Sequence, residues 1–79
     1  MSFNQHAIDE MNVLLQFPTD SRMSGIKIHS DAPPATRDAA ERLFKRGYID
    51  AIDGGYLTDA GLEFAEHVQK LHFALTTDL

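Results

Sequence analysis

Four basic side chains crowd into residues 37–46, and binding a phosphate is the chemistry that they could perform. They are Arg37, Arg42, Lys45 and Arg46, against the acidic Asp38 and Glu41, which leaves a local charge of +2. Guanidinium and ammonium groups form charge-assisted hydrogen bonds with phosphate oxygens. The alternative is that these residues pair with Asp38 and Glu41 on a solvated helix face, each pair contributing about 0.2–0.5 kcal/mol.

The charge of the whole chain has the opposite sign. Among 79 residues, 12 acidic side chains outnumber 7 basic ones, for a formal charge of −5. Residues 1–36 carry −2 and residues 47–79 carry −5. Proteins that hold nucleic acid by neutralising its phosphates usually carry positive charge. The distribution therefore favours a local anion contact and weighs against a strong DNA-binding surface.

The sequence has few residues that could bind a metal ion and none that could perform thiol chemistry. The chain has no cysteine, which excludes disulfides, thiolate zinc sites, iron–sulfur clusters and thiol nucleophiles. Among its four histidines, His67 lies four residues after Glu63, so the two could share a helix face. The sequence spacing places no third metal ligand on that helix face. His72, five residues after His67, does not share the face. We therefore predict no metal and no cofactor, with all four histidines, His6, His29, His67 and His72, facing solvent or an interface.

Catalytic motifs are missing as well. Ser21, Ser24 and Ser30 lack the Gly-x-Ser-x-Gly context of a nucleophile elbow. Gly54-Gly55 has turn character and is not followed by the helix and lysine of a phosphate-binding loop. A chain of this size also has little room for a deep pocket. We predict that the protein is not an enzyme.

Length and hydropathy indicate one small globular domain spanning residues 1–79. A hydrophobic content of 43% is ordinary for a folded protein. Uninterrupted apolar runs reach only three residues, as in 13–15, so no membrane span is expected. The first residues lack the basic and apolar regions of a secretory signal. The expected compartment is the reduced cytoplasm.

Helical periodicity marks three of the predicted elements. A first helix over about residues 4 to 16 has a stripe of Ala7, Ile8, Met11, Leu14 and Leu15, and Pro18 ends it. A second, short helix is predicted around Met23 and Ile26, with Asp20 or Ser21 as its N-cap; a strand over residues 26–28 is the alternative. A third helix covers about residues 34–46, buries Ala39, Ala40, Leu43 and Phe44, and ends at Gly47.

A hairpin and a final helix follow. Asp53-Gly54 lies between residues 48–52 and 56–57, which is a strong hairpin signal because both turn positions need a positive φ. Tyr48 and Tyr56 are predicted to face each other across it. Thr58 caps a helix to about Phe73 with Leu62, Ala65, Val68, Leu71, Phe64 and Leu75 as its apolar residues. Leu71, Phe73 and Leu75 exceed one buried face, which predicts either monomer core or a dimer contact.

Two stretches carry a resemblance to the winged helix-turn-helix superfamily: residues 42–49, RLFKRGYI, and residues 53–61, DGGYLTDAG. The resemblance implies a mainly α (α+β) fold of three helices, a short β-hairpin wing and a C-terminal helix. It also implies that helix 34–46 enters the major groove of double-stranded DNA. Thr36 and Arg37 would then lie nearest the bases, and Arg42, Lys45 and Arg46 would hold phosphates.

The full chain also resembles a small uncharacterised bacterial family, through residues 14–18 (LLQFP), 26–29 (IKIH) and 53–58 (DGGYLT). Members of that family have been labelled DNA-binding proteins. This second resemblance supports the fold and adds little about the role.

Two functions are therefore predicted. The first is a winged-helix transcriptional regulator that binds DNA and forms a homodimer through its terminal helices. The second is a winged-helix protein–protein interaction module without nucleic-acid binding. The second is favoured by the charge of −5 and by the acidic hairpin tip Asp53-Gly54-Gly55, since a groove probe normally carries Arg or Lys. The first is favoured by the one basic excess, which falls on helix 34–46.

Overall fold

Three helices pack against a small antiparallel sheet in the computed structural model, which describes residues 1–21 and 23–78. The elements are α1 (Gln5–Leu14), β1 (Ile26–Lys27), α2 (Pro34–Lys45), β2 (Ile49–Ala51), β3 (Gly54–Leu57) and α3 (Asp59–Thr76). The strands run in the order β1-β3-β2. The α+β class, the hairpin and the helix that follows it are confirmed.

Local sequence explains the helix ends. Asn4 caps α1, its side chain accepting a hydrogen bond from the Ala7 amide at 2.8 Å. Gly47 ends α2 with a φ of 82°, in the left-handed region that glycine adopts without strain. The Thr58 hydroxyl caps α3 by accepting from the Gly61 amide at 3.1 Å, as predicted.

The second predicted helix is wrong, and so is the total of four helices. Its described residues form no helix, and Ile26 and Lys27 instead form β1, paired with Gly55 and Gly54 of β3. A short helix containing Gly25 would gain little, because nucleating a helix is costly. Pairing with β3 satisfies the backbone of this segment and ends with Ile28 in the core. The chain therefore adopts a strand here, as the alternative prediction for residues 26–28 stated.

Glycines let β1 approach β3. A Cβ atom at Gly54 would lie 2.5 Å from the Ile26 carbonyl oxygen, and a Cβ at Gly25 would overlap the Gly55 carbonyl. Gly54 and Gly55 also have positive φ, 121° and 72°, while Asp53 does not. The predicted Asp-Gly turn with two positive φ angles is thus wrong. The connection is made by Ile52 and Asp53, and the diglycine begins β3 at a bulge.

Tyrosines do not pair across the hairpin as predicted. The register joins Ile49 to Leu57, which places Tyr48 beyond the paired residues at one end of the hairpin. The Tyr48 ring packs on Phe64 of α3, with 5.0 Å between ring centroids. Tyr56 is exposed, and its amide donates to the Asp50 carboxylate at 2.8 Å. Tyr48 therefore joins the hairpin to α3.

The core lies between α1, α2 and the sheet, and takes less of α3 than the sequence predicted. It contains Val13, Leu14, Phe17, Ile28, Ala39, Ala40, Leu43, Ile49, Leu57 and Ala65. Predicted core residues Ile8 and Phe44 are exposed. Within residues 1–21 and 23–78, the tertiary hydrogen bonds nearest the C-terminal end of α3 are those of Gln69, which donates to the Phe17 carbonyl at 2.7 Å and accepts from Thr19 at 3.0 Å. Residues 70–78 are all exposed, so α3 extends beyond the core.

Candidate functional site

A buried carboxylate joins α1 to α2. Glu10 lies on the same face of α1 as Val13 and Leu14 and is only 8% exposed. Its Oε2 accepts from Arg42 Nε at 3.0 Å, and its Oε1 accepts from Arg46 Nε at 2.9 Å. The side chains of Arg42 and Arg46 are 25% and 56% exposed. We call these three residues the Glu10 cluster; its net charge is +1.

The five predicted DNA-binding residues do not share one surface. Arg42 and Arg46 face α1 through the Glu10 cluster. Arg37 donates from Nε to the Ala32 carbonyl at 3.0 Å, just before α2, and Thr36 is half-buried. Lys45 is exposed on the side of α2 away from the core, where Asp38 lies two turns earlier. That outer side is therefore close to neutral.

The alternative to phosphate binding was that the basic residues of α2 pair with Asp38 and Glu41 on the same helix. The partners in that prediction are wrong. Within the described residues, the ion pairs of α2 run to Glu10 and not to Asp38 or Glu41. Sequence reasoning missed Glu10. Its signal was available: an acidic residue three and four positions before Val13 and Leu14 falls on an apolar helix face, and a buried charge needs a partner.

At the hairpin tip, the Asp53 carboxylate forms an ion pair with Lys27 of β1. The hydrogen bond from Lys27 lowers the pKa of Asp53 below its ordinary value of 3.8. A depressed pKa means that the pair stabilises the fold above about pH 3.8 and that this contribution is lost as the pH falls through the lowered pKa. The acidic tip is thus partly neutralised within the chain.

Lys27→Met removes that hydrogen bond, so we expect the pKa of Asp53 to rise towards 3.8. Carboxyl ¹³C shifts followed during an NMR titration measure this value directly. Lys70→Met removes the same charge from α3 and serves as the control, with no expected change at Asp53. An unchanged Asp53 pKa in the Lys27 variant would contradict the assigned cause.

A shallow recess of about 480 Å³ lies beside this ion pair, between β1, the hairpin tip and α2. Its charged lining has both signs: Lys27 and Arg37 against Asp38, Glu41 and Asp53. Mixed charge of this kind does not select an anion. Within the described residues, no group of three or more histidine or acidic side chains is arranged to hold a metal ion.

An apolar groove of about 410 Å³ separates α1 from α3. Ala7, Met11 and Leu14 form its α1 wall, and Phe64 and Val68 form its α3 wall. Its polar end contains Arg42 and Arg46 of the Glu10 cluster, beside Tyr48. The groove is thus apolar along its walls and positively charged at one end.

Along α3, Phe64, Val68, Leu71 and Leu75 form a line that we call the apolar stripe. Their spacing of four, three and four residues keeps them on one side of the helix. Phe64 and Leu71 are each 43% exposed and Leu75 is 75% exposed, although the sequence pattern allowed them as core. The charged Glu63, Glu66 and Lys70 lie on the opposite side by the same periodicity.

Phe73 is separate from the apolar stripe. It is 71% exposed and lies with Gln69, near Phe17 and Pro18, on another side of α3. The surplus of apolar residues that the sequence indicated at this end of α3 is therefore divided between two surfaces. Only the apolar stripe continues into the groove with α1.

Comparison with known proteins adds one relationship. The sequence pattern of a family described as a family of unknown function, DUF5669, matches residues 1–76. The chain belongs to this family. The six helices and strands of the described part of the chain fall within the matched residues, and so do the Glu10 cluster and the apolar stripe. No curated protein matches the chain, and no solved structure does.

The family match does not assign a compartment. Among the helices in the described part of the chain, none combines the length and apolarity needed to cross a membrane. In α3, the charged residues Glu63, Glu66 and Lys70 lie on the side opposite the exposed apolar residues.

Proposed function

We propose that this member of DUF5669 is a protein-interaction module whose binding surface is the apolar stripe together with the α1–α3 groove. The observation that carries the proposal is the exposure of Phe64, Leu71 and Leu75 on a side of α3 that has no charged residue. Surfaces with aligned exposed apolar residues next to a groove are typical of protein-binding sites.

The shape of the surface favours a helical partner. The groove lies between two helices and accepts a third element of similar width, with apolar side chains spaced by three and four residues. Its cationic end, at Arg42 and Arg46, favours a partner that ends in negative charge. The partner that fits this surface is thus an amphipathic helix with an acidic end.

The charge arrangement weakens the alternative of DNA binding. Arg42 and Arg46 are engaged with Glu10, and the hairpin tip bears an acidic residue paired with Lys27. Glu10 cancels one of the two arginine charges, so the Glu10 cluster offers a net charge of only +1 to the phosphates of DNA. A chain of charge −5 also repels the DNA backbone.

Site-specific photo-crosslinking in the native cells tests the proposal. A photoreactive amino acid in place of Leu75 is expected to form protein adducts, while the same group in place of Asp38, in the mixed-charge recess beside α2, is not. Adding Leu71→Glu to the Leu75 probe should abolish the adducts, because a carboxylate in an apolar interface is costly. Equal labelling from both positions, or none from position 75, would refute the assigned surface.

DNA binding by a winged helix remains the second candidate, supported by the +2 charge of residues 37–46 and by the exposed Arg37 and Lys45. Fluorescence anisotropy with mixed-sequence duplex DNA at about 50 and 200 mM salt separates the two candidates. The interaction module predicts no binding at micromolar protein. Salt-sensitive binding that Arg37→Ala with Arg46→Ala weakens would instead favour the DNA-binding function.

A further inference from the structure

We propose that the partner is a second copy of this chain, with the two α3 helices antiparallel and each seated in the α1–α3 groove of the other copy. Phe64 would then pack against Leu75 of the second copy, and Val68 against Leu71. This inference rests on the proposed function and names the partner of the same surface.

The apolar stripe is complementary to itself. Its intervals of four, three and four residues read the same in both directions along α3. A two-fold axis between Val68 and Leu71 therefore matches all four apolar positions with apolar positions of the second copy. An isologous interface of this kind needs one patch that complements itself, and it closes at two copies.

Charge permits this pairing at the centre of the interface. Two chains of charge −5 repel each other, so a contact between them must avoid further acidic juxtaposition. Glu63, Glu66 and Lys70 lie on the opposite side of α3 and would stay in solvent. The side chains that meet in the stripe are all uncharged.

Charge also favours the pairing at its two ends. In the antiparallel register, the C-terminal end of one α3, followed by Asp78, approaches the level of Phe64 and Tyr48 in the other copy. That is the end of the groove where the Glu10 cluster exposes its net charge of +1. Helix C-termini carry partial negative charge, so both the helix end and Asp78 complement the cluster.

Area explains why α1 must take part. A stable interface buries about 800 Å² on each partner. The stripe spans 12 residues, about 18 Å of helix, and one side of a helix is about 10 Å wide, which is too little by itself. Ala7 and Met11 in the groove and the exposed Ile8 beside them extend the apolar surface. The proposal therefore places α1 and α3 of both copies in one four-helix contact.

Sedimentation equilibrium over a dilution series tests this proposal. We expect a mass of twice 8.8 kDa at high concentration for the natural sequence. Leu71→Glu should raise the dissociation constant at least about 30-fold, the size of an interface hot spot. Phe73→Glu is the matched control, since it places the same charge on the same helix off the stripe, and less than about a threefold change is expected. A larger effect at Phe73 than at Leu71 would overturn the interface.

Cysteine pairing tests the register, because the chain has no cysteine of its own. Under oxidation, a mixture of the Val68→Cys and Leu71→Cys variants should form disulfide-linked dimers faster than either variant alone. Faster linkage of either variant with itself would indicate a different register and overturn the antiparallel pairing.

The outcomes distinguish this inference from the proposed function. A chain that remains monomeric at the highest concentration refutes the dimer. If the Leu75 photo-probe nevertheless forms adducts whose mass differs from that of a doubled chain, the interaction surface stands with another protein as its partner. A monomer with no adduct from position 75 refutes both.

Discussion

Glu10→Ala is expected to lower the free energy of unfolding by about 2–3 kcal/mol. Removing one partner of a fully buried ion pair costs about 3–5 kcal/mol. The cost is smaller here because the Arg42 and Arg46 side chains are 25% and 56% exposed and can recover water. Urea unfolding followed by circular dichroism at 222 nm measures the change.

Glu66→Ala is the matched control for Glu10→Ala. Glu66 is an exposed glutamate on α3, and its replacement should change stability by less than about 0.5 kcal/mol. Glu10→Gln preserves the size of the side chain and one carbonyl acceptor, so an intermediate loss is expected. Equal losses for the alanine variants at positions 10 and 66 would show that the Glu10 cluster contributes nothing.

Gly61→Ala is expected to destabilise the protein by at least about 2 kcal/mol, against the usual preference of helices. Alanine is favoured over glycine within a helix by about 1 kcal/mol. At position 61, however, the added methyl would overlap the Tyr48 backbone carbonyl, which cannot rotate away as a side chain would. That carbonyl also accepts from the Thr58 amide at 3.1 Å, so moving it disturbs the start of α3.

A pair of substitutions at Glu66 isolates the effect of close approach. Comparing Glu66→Gly with Glu66→Ala in thermal unfolding gives the glycine-to-alanine preference of α3 where no neighbour interferes, and alanine should be the more stable there. Gly61→Ala should have the opposite sign. If it raises the melting temperature as the Glu66 pair predicts, the packing of α3 on Tyr48 is looser than described.

Helix ends that are determined by residues close in the sequence were predictable. Asn4, Gly47 and Thr58 act within one turn of their own helix, so their types reveal the ends of α1, α2 and α3. β1 was not predictable in this way. Two residues form it, and their partners Gly54 and Gly55 are about 28 residues further along the chain.

For the candidate site, the sequence predicted an excess of apolar residues on α3 but not the arrangement of the residues in space. Periodicity indicated that α3 has more apolar residues than one buried face needs and that Phe73 lies apart from Leu71 and Leu75, but not that the Leu71 side would stay exposed. The Glu10 cluster required knowing that α1 crosses the C-terminal half of α2, since Glu10 and Arg42 are 32 positions apart. Local rules instead favour pairs three or four residues apart, which is why Asp38 and Glu41 were assigned to these arginines.

The extension of α3 beyond Gln69 has an energetic consequence. The seven residues from Lys70 to the end of the helix have exposed side chains, and a helical segment of that length is unstable in water by itself. Helical turns without tertiary contacts open at a lower free energy than turns packed on a core. A partner that covers Leu71 and Leu75 would therefore also stabilise these two turns, so binding and helix stability at this end of the molecule are thermodynamically linked.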